Sequence, residues 1–215
     1  MVPNKSMTDD SPAAISAPRR ADRRRAKRID EILQVATRLL SERGYAATNL
    51  DNIAEVLDLS KASLYHYFPS KEHLILSCLD RIGSETRKHL AAAADTSLSP
   101  PLRLHAAVRA QVLVLTRDES AGASLFLQDL GLPEAARQRL RALVDQHDRL
   151  FRSIIDEGMR SGEFRVADPR VARLLMHGAV NFIPSWYQNT RRMSPENLAD
   201  IVADMVLQLF GGEKP

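Results

Sequence analysis

Residues 48–71 read TNLDNIAEVLDLSKASLYHYFPSK, and the rest of the chain is organised around them. Asn49 to Leu57 sets Leu50, Ile53, Ala54 and Leu57 at spacings of three and four, the period of one helical face. Thr48 occupies the expected N-cap, with Asp51 three residues on as an acidic variant of the capping box. Asp58-Leu59-Ser60 has room only for a turn. Ser60 then caps a second short helix, Lys61 to about Tyr67, that buries Leu64 and Phe68. Two short helices joined by a tight turn make a helix-turn-helix, the second being its recognition helix.

With Leu64 and Phe68 inward, Lys61, Ser63, His66 and Tyr67 point outward, and Ala62 and Tyr65 lie at the margins. Such small, cationic, hydroxylic and aromatic groups read base edges and grip phosphate oxygens. The plainer alternative is a solvated face on a helical hairpin, but that seldom carries two tyrosines and a histidine within three residues. Thr48 would also offer a phosphate its hydroxyl and the first free amides of its helix. Pro69-Ser70 ends the recognition helix, and Lys71 opens the next one, placed to meet phosphate. Upstream, residues 19–28 read RRADRRRAKR, basic but for Ala21, Asp22 and Ala26. Alone that run is a solvated tail. Directly before a DNA-binding unit it is expected to be an arm, with Arg24 and Arg25 on phosphates or in the adjacent minor groove.

LSKASLYHYFPSKEHL at 59–74, preceded by IDEILQVATRLLSERGYAATNLDNIAEVLDLS from Ile29, resembles the DNA-binding region of the TetR family of one-component transcriptional regulators. The combination is specific to that family. One departure is Ala62, where many members carry Gly to let the backbone approach DNA; Ala there alters base preference more readily than it disturbs the fold.

Composition bounds the alternatives. The 215 residues are 44% hydrophobic and 27% charged, with a formal net charge of +3, which is ordinary for a soluble globular chain. No apolar run reaches the roughly 20 residues a bilayer span needs, and the N-terminus lacks a signal-peptide core. Cys78 is the single cysteine, so no internal disulfide forms and a reducing cytoplasm is expected. Strand patterns are nearly absent, so the expected fold is all-α.

Along the chain, 1–18 is expected to be a disordered tail and 19–80 the DNA-binding domain with its basic arm. Residues 81–215 would form a larger helical domain for ligand binding and dimerisation. A first helix is expected from about Ala26 to Arg43, stopped by Gly44. The helix from Lys71 to about Ala94 would span about 35 Å and join the domains, with Leu74, Leu76, Leu79, Ile82 and Leu90 as its apolar contacts. Pro100-Pro101 opens a helix to about Arg117 whose VLVL at 112–115 is apolar all round, hence central. A short segment at 124–130 precedes a long helix from Pro133 to Arg160, with Leu140, Leu143, Val144, Leu150, Phe151, Ile154 and Ile155 inward. Asp168-Pro169 starts a helix to about Gln188, and Ser194-Pro195 starts the last, which ends at Gly211.

The last two helices carry broad apolar faces. Val171, Leu174, Leu175, Gly178, Ala179, Phe182 and Ile183 form one; Leu198, Ile201, Val202, Met205, Leu209 and Phe210 form the other. Both could be domain core. Gly178 and Ala179 would nevertheless let a partner helix approach closely, and the family resemblance implies a homodimer paired through these helices in a four-helix bundle. A symmetric dimer also suits a palindromic operator read in successive major grooves.

The resemblance also implies a ligand pocket in the larger domain. Polar groups on otherwise apolar faces are candidates to line it: His105, Gln111, Gln128, His147, His177 and Asn181. Each singly is more readily a satisfied core or surface side chain. Pro184 should kink its helix and free the carbonyl of Val180. Trp186 and Tyr187 beside the kink would form a cavity wall, or else an end-of-helix core plug. NFIPSWYQNTRRMSPENLADIVADMVLQLFGG at 181–212 is similar to members that respond to acyl-CoA and related thioesters. In these, basic groups at the pocket mouth meet the nucleotide phosphates, a role that would fall to Arg191 and Arg192. A non-CoA hydrophobic compound is the alternative ligand.

An enzyme is the first rival reading. The chain has no Gly-x-Ser-x-Gly elbow, no glycine-rich phosphate loop and no His-Glu-x-x-His, and its six histidines are scattered. No catalytic residue, cofactor or metal is therefore expected. A non-specific architectural DNA binder is the second rival, and it would bind any duplex alike. The expected function is a ligand-responsive regulator, a repressor released from its operator by a small apolar ligand.

Overall fold

The computed structural model describes residues 20–116, 130–190 and 193–212, with the backbone alone at 188–190. The N-terminal tail, Gln128 with most of the expected 124–130 segment, and Arg191 and Arg192 lie outside the described residues. The described part is all-α. Its helices are α1 (Arg20–Ala47), α2 (Leu50–Val56), α3 (Lys61–Tyr67), α4 (Lys71–His89), α5 (Pro100–Leu115), α6 (Glu134–Ser161), α7 (Pro169–Asn181), α8 (Ile183–Thr190) and α9 (Pro195–Leu209). No helix among the described residues is long and apolar enough to cross a membrane.

Local chemistry accounts for most boundaries. Asn49, not Thr48, caps α2: its Oδ1 accepts the Asn52 amide at 2.7 Å. The Thr48 side chain instead turns back, is buried, and donates to the Gly44 carbonyl at 2.8 Å. After α2 the chain reverses at Asp58, whose φ of 51° is a left-handed value that Asp tolerates. Leu59 N–H then bonds the Ala54 carbonyl at 2.8 Å and Asp58 N–H that of Glu55 at 3.2 Å, closing the helix end. Ser60, Ser70, Asp168 and Ser194 cap α3, α4, α7 and α9 through their side chains, as their positions in the sequence suggest.

Other boundaries differ from expectation. Helix α1 starts at Arg20, so Arg24 and Arg25 ride on a rigid helical extension instead of an extended arm. Helix α4 ends at His89 and is followed by a 3₁₀ turn over Ala92–Ala94. Buried Ile75 takes the place expected of Leu76, which is only partly buried. Val144 is exposed rather than inward. The single helix expected from 169 to 188 is two, broken at Phe182, because Pro184 cannot continue the backbone ladder.

Three clusters hold the fold together. The first packs α1 to α4 through Ile32, Ala36, Leu50, Ile53, Leu64, Phe68, Leu74 and Cys78. The largest surrounds α5, which packs along α9 and also meets α6 and α7, with Leu104, Val108, Val112, Phe151, Ile154, Phe164, Val180 and Phe210 at its centre. Between them lies a third, made by Leu40, Ile75, Leu79, Ile82, Leu130, Leu132 and Leu143. Helix α4 contributes to the first and third, and its C-cap Leu90 to the largest. At Gly83 a Cβ would meet Leu143 Cδ2 at 2.4 Å, so the Leu143 side chain of α6 occupies space that a larger residue on α4 would require it to leave.

Gly44 interrupts α1 with φ 74° and ψ 176°, a region open essentially to glycine alone. The break turns Tyr45 so that its N–H bonds the Leu130 carbonyl at 2.9 Å, tying the helix-turn-helix to the segment before α6. Gly44→Ala is expected to cost about 1–3 kcal/mol of stability. Urea denaturation checks this: an unchanged midpoint would show that the turn relaxes without strain.

Candidate functional site

Two places in the structure collect chemistry, and an exposed apolar face adjoins the second. The first place is the outer surface of α3. Leu64 is fully buried and Phe68 nearly so, which leaves Lys61, Ala62, Ser63, Tyr65 and His66 exposed. Tyr65, expected at the margin, is an outward tyrosine at 48% exposure. Tyr67, expected outward, is half-buried against the first core cluster, because three residues from Leu64 brings it round to the inner face.

The cations around this surface are already oriented. Lys61 Nζ donates to Asp51 at 2.6 Å, and that hydrogen bond holds its pKa above the ordinary lysine value. The Arg25 guanidinium lies 5.3 Å from the centre of the Tyr67 ring, with Nη1 3.5 Å from His66 Nε2. Lys71 Nζ sits 3.9 Å from the centre of the Tyr45 ring and donates to the Ala46 carbonyl at 3.4 Å; partial burial lowers its pKa. Ser63 is part of the α3 cap, its hydroxyl 2.8 Å from that of Ser60. The buried Thr48 hydroxyl, committed to Gly44, is not presented to a phosphate.

The second place is a cavity of about 1370 Å³ bounded by α1, α4, α5, α6 and α7. Leu90, Ala110, Val114, Leu150 and Ile155 supply apolar wall. His147, His177, Asn181 and Gln111 line it as the sequence suggests, and Gln111 donates to Asn181 Oδ1 at 2.9 Å. His105 does not line it, its Nε2 being 3.3 Å from Asp204 Oδ1 between α5 and α9. Trp186 and Tyr187 are not among the lining residues. Tyr187 is a core plug whose hydroxyl donates to the Met193 carbonyl at 2.9 Å, and Trp186 is 39% exposed.

Sequence reasoning missed Asp148 and Arg173, which sit beside the two histidines. Buried Arg173 contacts the Asp148 carboxylate, which also accepts from Arg152 at 2.6 Å. Their signal was visible only in part: Arg173 and His177 are four apart, hence on one face, but nothing local says that α6 faces them. The His147 and His177 rings lie 5.6 Å apart, each 4.9 Å from Phe151. Burial pushes the pKa of both down to about 4, with His177 adding to the effect on His147 and Arg173 to that on His177.

The exposed face belongs to α7, Phe182 and α9. Leu174, Leu175, Phe182, Ile201, Met205 and Leu209 are all exposed, Phe182 at 65% and Met205 at 63%, and Gly178 and Ala179 lie open among them. A Cβ at Gly178 would meet nothing within 4 Å. Ile183, Leu198 and Phe210, expected on these faces, are core instead.

Known proteins share both regions. Residues 32–78 match the family described as bacterial regulatory proteins, tetR family, and residues 97–210 match the tetracyclin repressor-like C-terminal domain. The HTH-type transcriptional repressor KstR of Mycobacterium tuberculosis is 26% identical over 194 residues, spanning 90% of this chain and 84% of that protein. The fatty acid metabolism regulator protein of Bacillus subtilis is 21% identical over 190 residues, spanning 82% and 92%. The crystal structure of AibR in complex with isovaleryl coenzyme A and operator DNA superposes with a TM-score of 0.73 at 27% identity, covering 86% of this chain and 99% of that one. The second match takes in more than half of the sequence and the first takes in the helix-turn-helix, so the chain belongs to the TetR family and is a transcriptional regulator, not an enzyme.

Proposed function

We propose that the protein is a repressor that binds a palindromic operator as a homodimer and leaves it when a small apolar ligand, a CoA thioester, enters the larger domain. Residues 19–80 would be the DNA-binding domain and 81–215 the ligand-binding and dimerisation domain, working in the cytoplasm. The observation that carries the ligand half is the cavity, whose volume exceeds the roughly 300–1,000 Å³ common for small-molecule sites. AibR, similar over most of this chain, was crystallised with isovaleryl coenzyme A and operator DNA, which favours a thioester over other apolar compounds. Arg87 and Arg170, exposed at the cavity wall, are available to the nucleotide phosphates.

On the DNA side, Arg24, Arg25, Lys61, Tyr67 and Lys71 hold phosphates, and Ala62, Ser63, Tyr65 and His66 face base edges. The face on α7, Phe182 and α9 leaves Leu174, Leu175, Phe182, Ile201, Met205 and Leu209 exposed, and a second copy of the same face would cover it. Ligand binding then changes the spacing of the two recognition helices. The coupling is reciprocal, so operator DNA weakens ligand binding by the same factor.

The test is binding to the DNA upstream of the protein's own gene against a scrambled duplex, with and without a long-chain acyl-CoA. Specific binding abolished by the thioester is the expected result. Specific binding indifferent to it would discard the ligand and keep the regulator; equal binding to both duplexes would discard the operator reading. Within that assay, Lys61→Ala should weaken binding to all sequences and lower the salt slope by about 1. An unchanged slope would mean that Lys61 stays with Asp51 on DNA. Ser63→Ala should shift sequence preference.

A further inference from the structure

The cavity wall carries one polar cluster that the proposed function leaves unused: His147 and Asp148 on α6, facing Arg173 and His177 on α7. Its members are unequal. Asp148 is saturated by Arg173 and Arg152, so the Arg173 charge is already spent within the wall. His177 Nε2 stands 3.6 Å from Asp148 Oδ1, beyond hydrogen-bond reach. The Nε2 atoms of His147 and His177 are both buried without a hydrogen-bond partner. Leaving such an atom unsatisfied is unfavourable, so the site favours a ligand that supplies a partner.

We propose that His147 and His177 are the polar contact of the ligand cavity and select an uncharged oxygen, a carbonyl or hydroxyl, on an otherwise apolar ligand. This rests on reading the cavity as the ligand site. Three observations give the selectivity its sign. The imidazoles are held neutral by burial, and a neutral ring pairs with a carbonyl or hydroxyl without charge separation. Arg173, the cation beside His177, is held by Asp148 and so is not free to pair with a ligand carboxylate. Leu150 and Ile155 add apolar wall, which suits the remainder of such a ligand. A thioester carbonyl, an ester and an alcohol all present the required oxygen.

The experiment titrates the full chain at pH 7.5 by calorimetry with 1-decanol, methyl decanoate and decanoate. The uncharged pair should bind at least tenfold more tightly than decanoate. His147→Leu should lose about tenfold for the uncharged probes and little for decanoate, and His147→Gln, which restores a hydrogen-bonding group near Nε2, should recover most of the loss. A cooperative melt verifies that each variant is folded. Decanoate binding as tightly as decanol, or no probe binding at all, would overturn the inference; so would equal losses across the probes in a folded His147→Leu chain. The wild-type comparison decides even if that variant does not fold. Operator release by acyl-CoA is a separate readout, so the proposed function can fail or stand independently.

Discussion

Leu175→Glu combined with Phe182→Glu is expected to turn the protein into a monomer that no longer holds its operator. Both side chains are mostly exposed, at 61% and 65%, and neither is part of a core cluster, so the substitutions leave the single chain folded. In a two-fold interface each is buried twice, and burying a Leu or Phe contributes about 1.5–3 kcal/mol. Glutamate there removes that term and places like charges across the symmetry axis. Operator affinity should then fall by about 10²–10⁴-fold, since a single recognition helix loses the effective concentration that the tethered partner supplies. Sedimentation velocity and an operator titration check the two halves. A variant that stays dimeric would place the interface elsewhere on the molecule.

Acid should destabilise the protein well before its exposed carboxylates titrate. Both His147 and His177 have pKa values lowered from 6.5 to about 4, burial being the larger cause in each, so the unfolded chain binds protons that the folded chain refuses. The stability they contribute is therefore complete above about pH 6.5 and is lost as the pH falls towards 4. The upper bound is on the order of 3 kcal/mol per ring, a large share of the roughly 5–15 kcal/mol that holds a domain folded. Arg173 reinforces the shift of His177, and His177 that of His147. Urea midpoints at pH 7.5, 6.0, 5.0 and 4.5 should fall steeply, and His147→Phe with His177→Phe should flatten that window. A double variant with the wild-type slope would assign the acid sensitivity to other groups.

These expectations differ in how far they can be read from residues alone. The recognition surface was nearly all local: Leu64 and Phe68 turned inward, Ser60 capped the helix, and Lys61, Ser63 and His66 followed by geometry. Where the reading slipped, tertiary contact was the reason. Thr48 could cap α2 as well as Asn49 by residue type, and burial against the Gly44 turn decided between them. Tyr65 and Tyr67, two residues apart, lie on nearly opposite sides of the helix, and the side that packs Leu64 and Phe68 into the first core cluster took Tyr67. Residue pattern likewise could not say whether His105, His147 or Trp186 lined a cavity, since each is a polar or amphipathic group on an apolar face.

The sequence by itself determined the all-α class, the helix-turn-helix, the caps at Ser60, Ser70, Asp168 and Ser194, and the family, and it marked Pro184 as a kink where the structure has a full break. Each of these is encoded in spacing, capping chemistry or backbone constraint within a few residues. Only the tertiary structure decided that Asp148 and Arg173 join His147 and His177. It alone showed that Leu143 packs into the notch at Gly83, and that Leu175 and Phe182 stand exposed while Ile183 and Phe210 are core. Those outcomes depend on which helix faces which, and that is set by the joint packing of residues far apart in the chain.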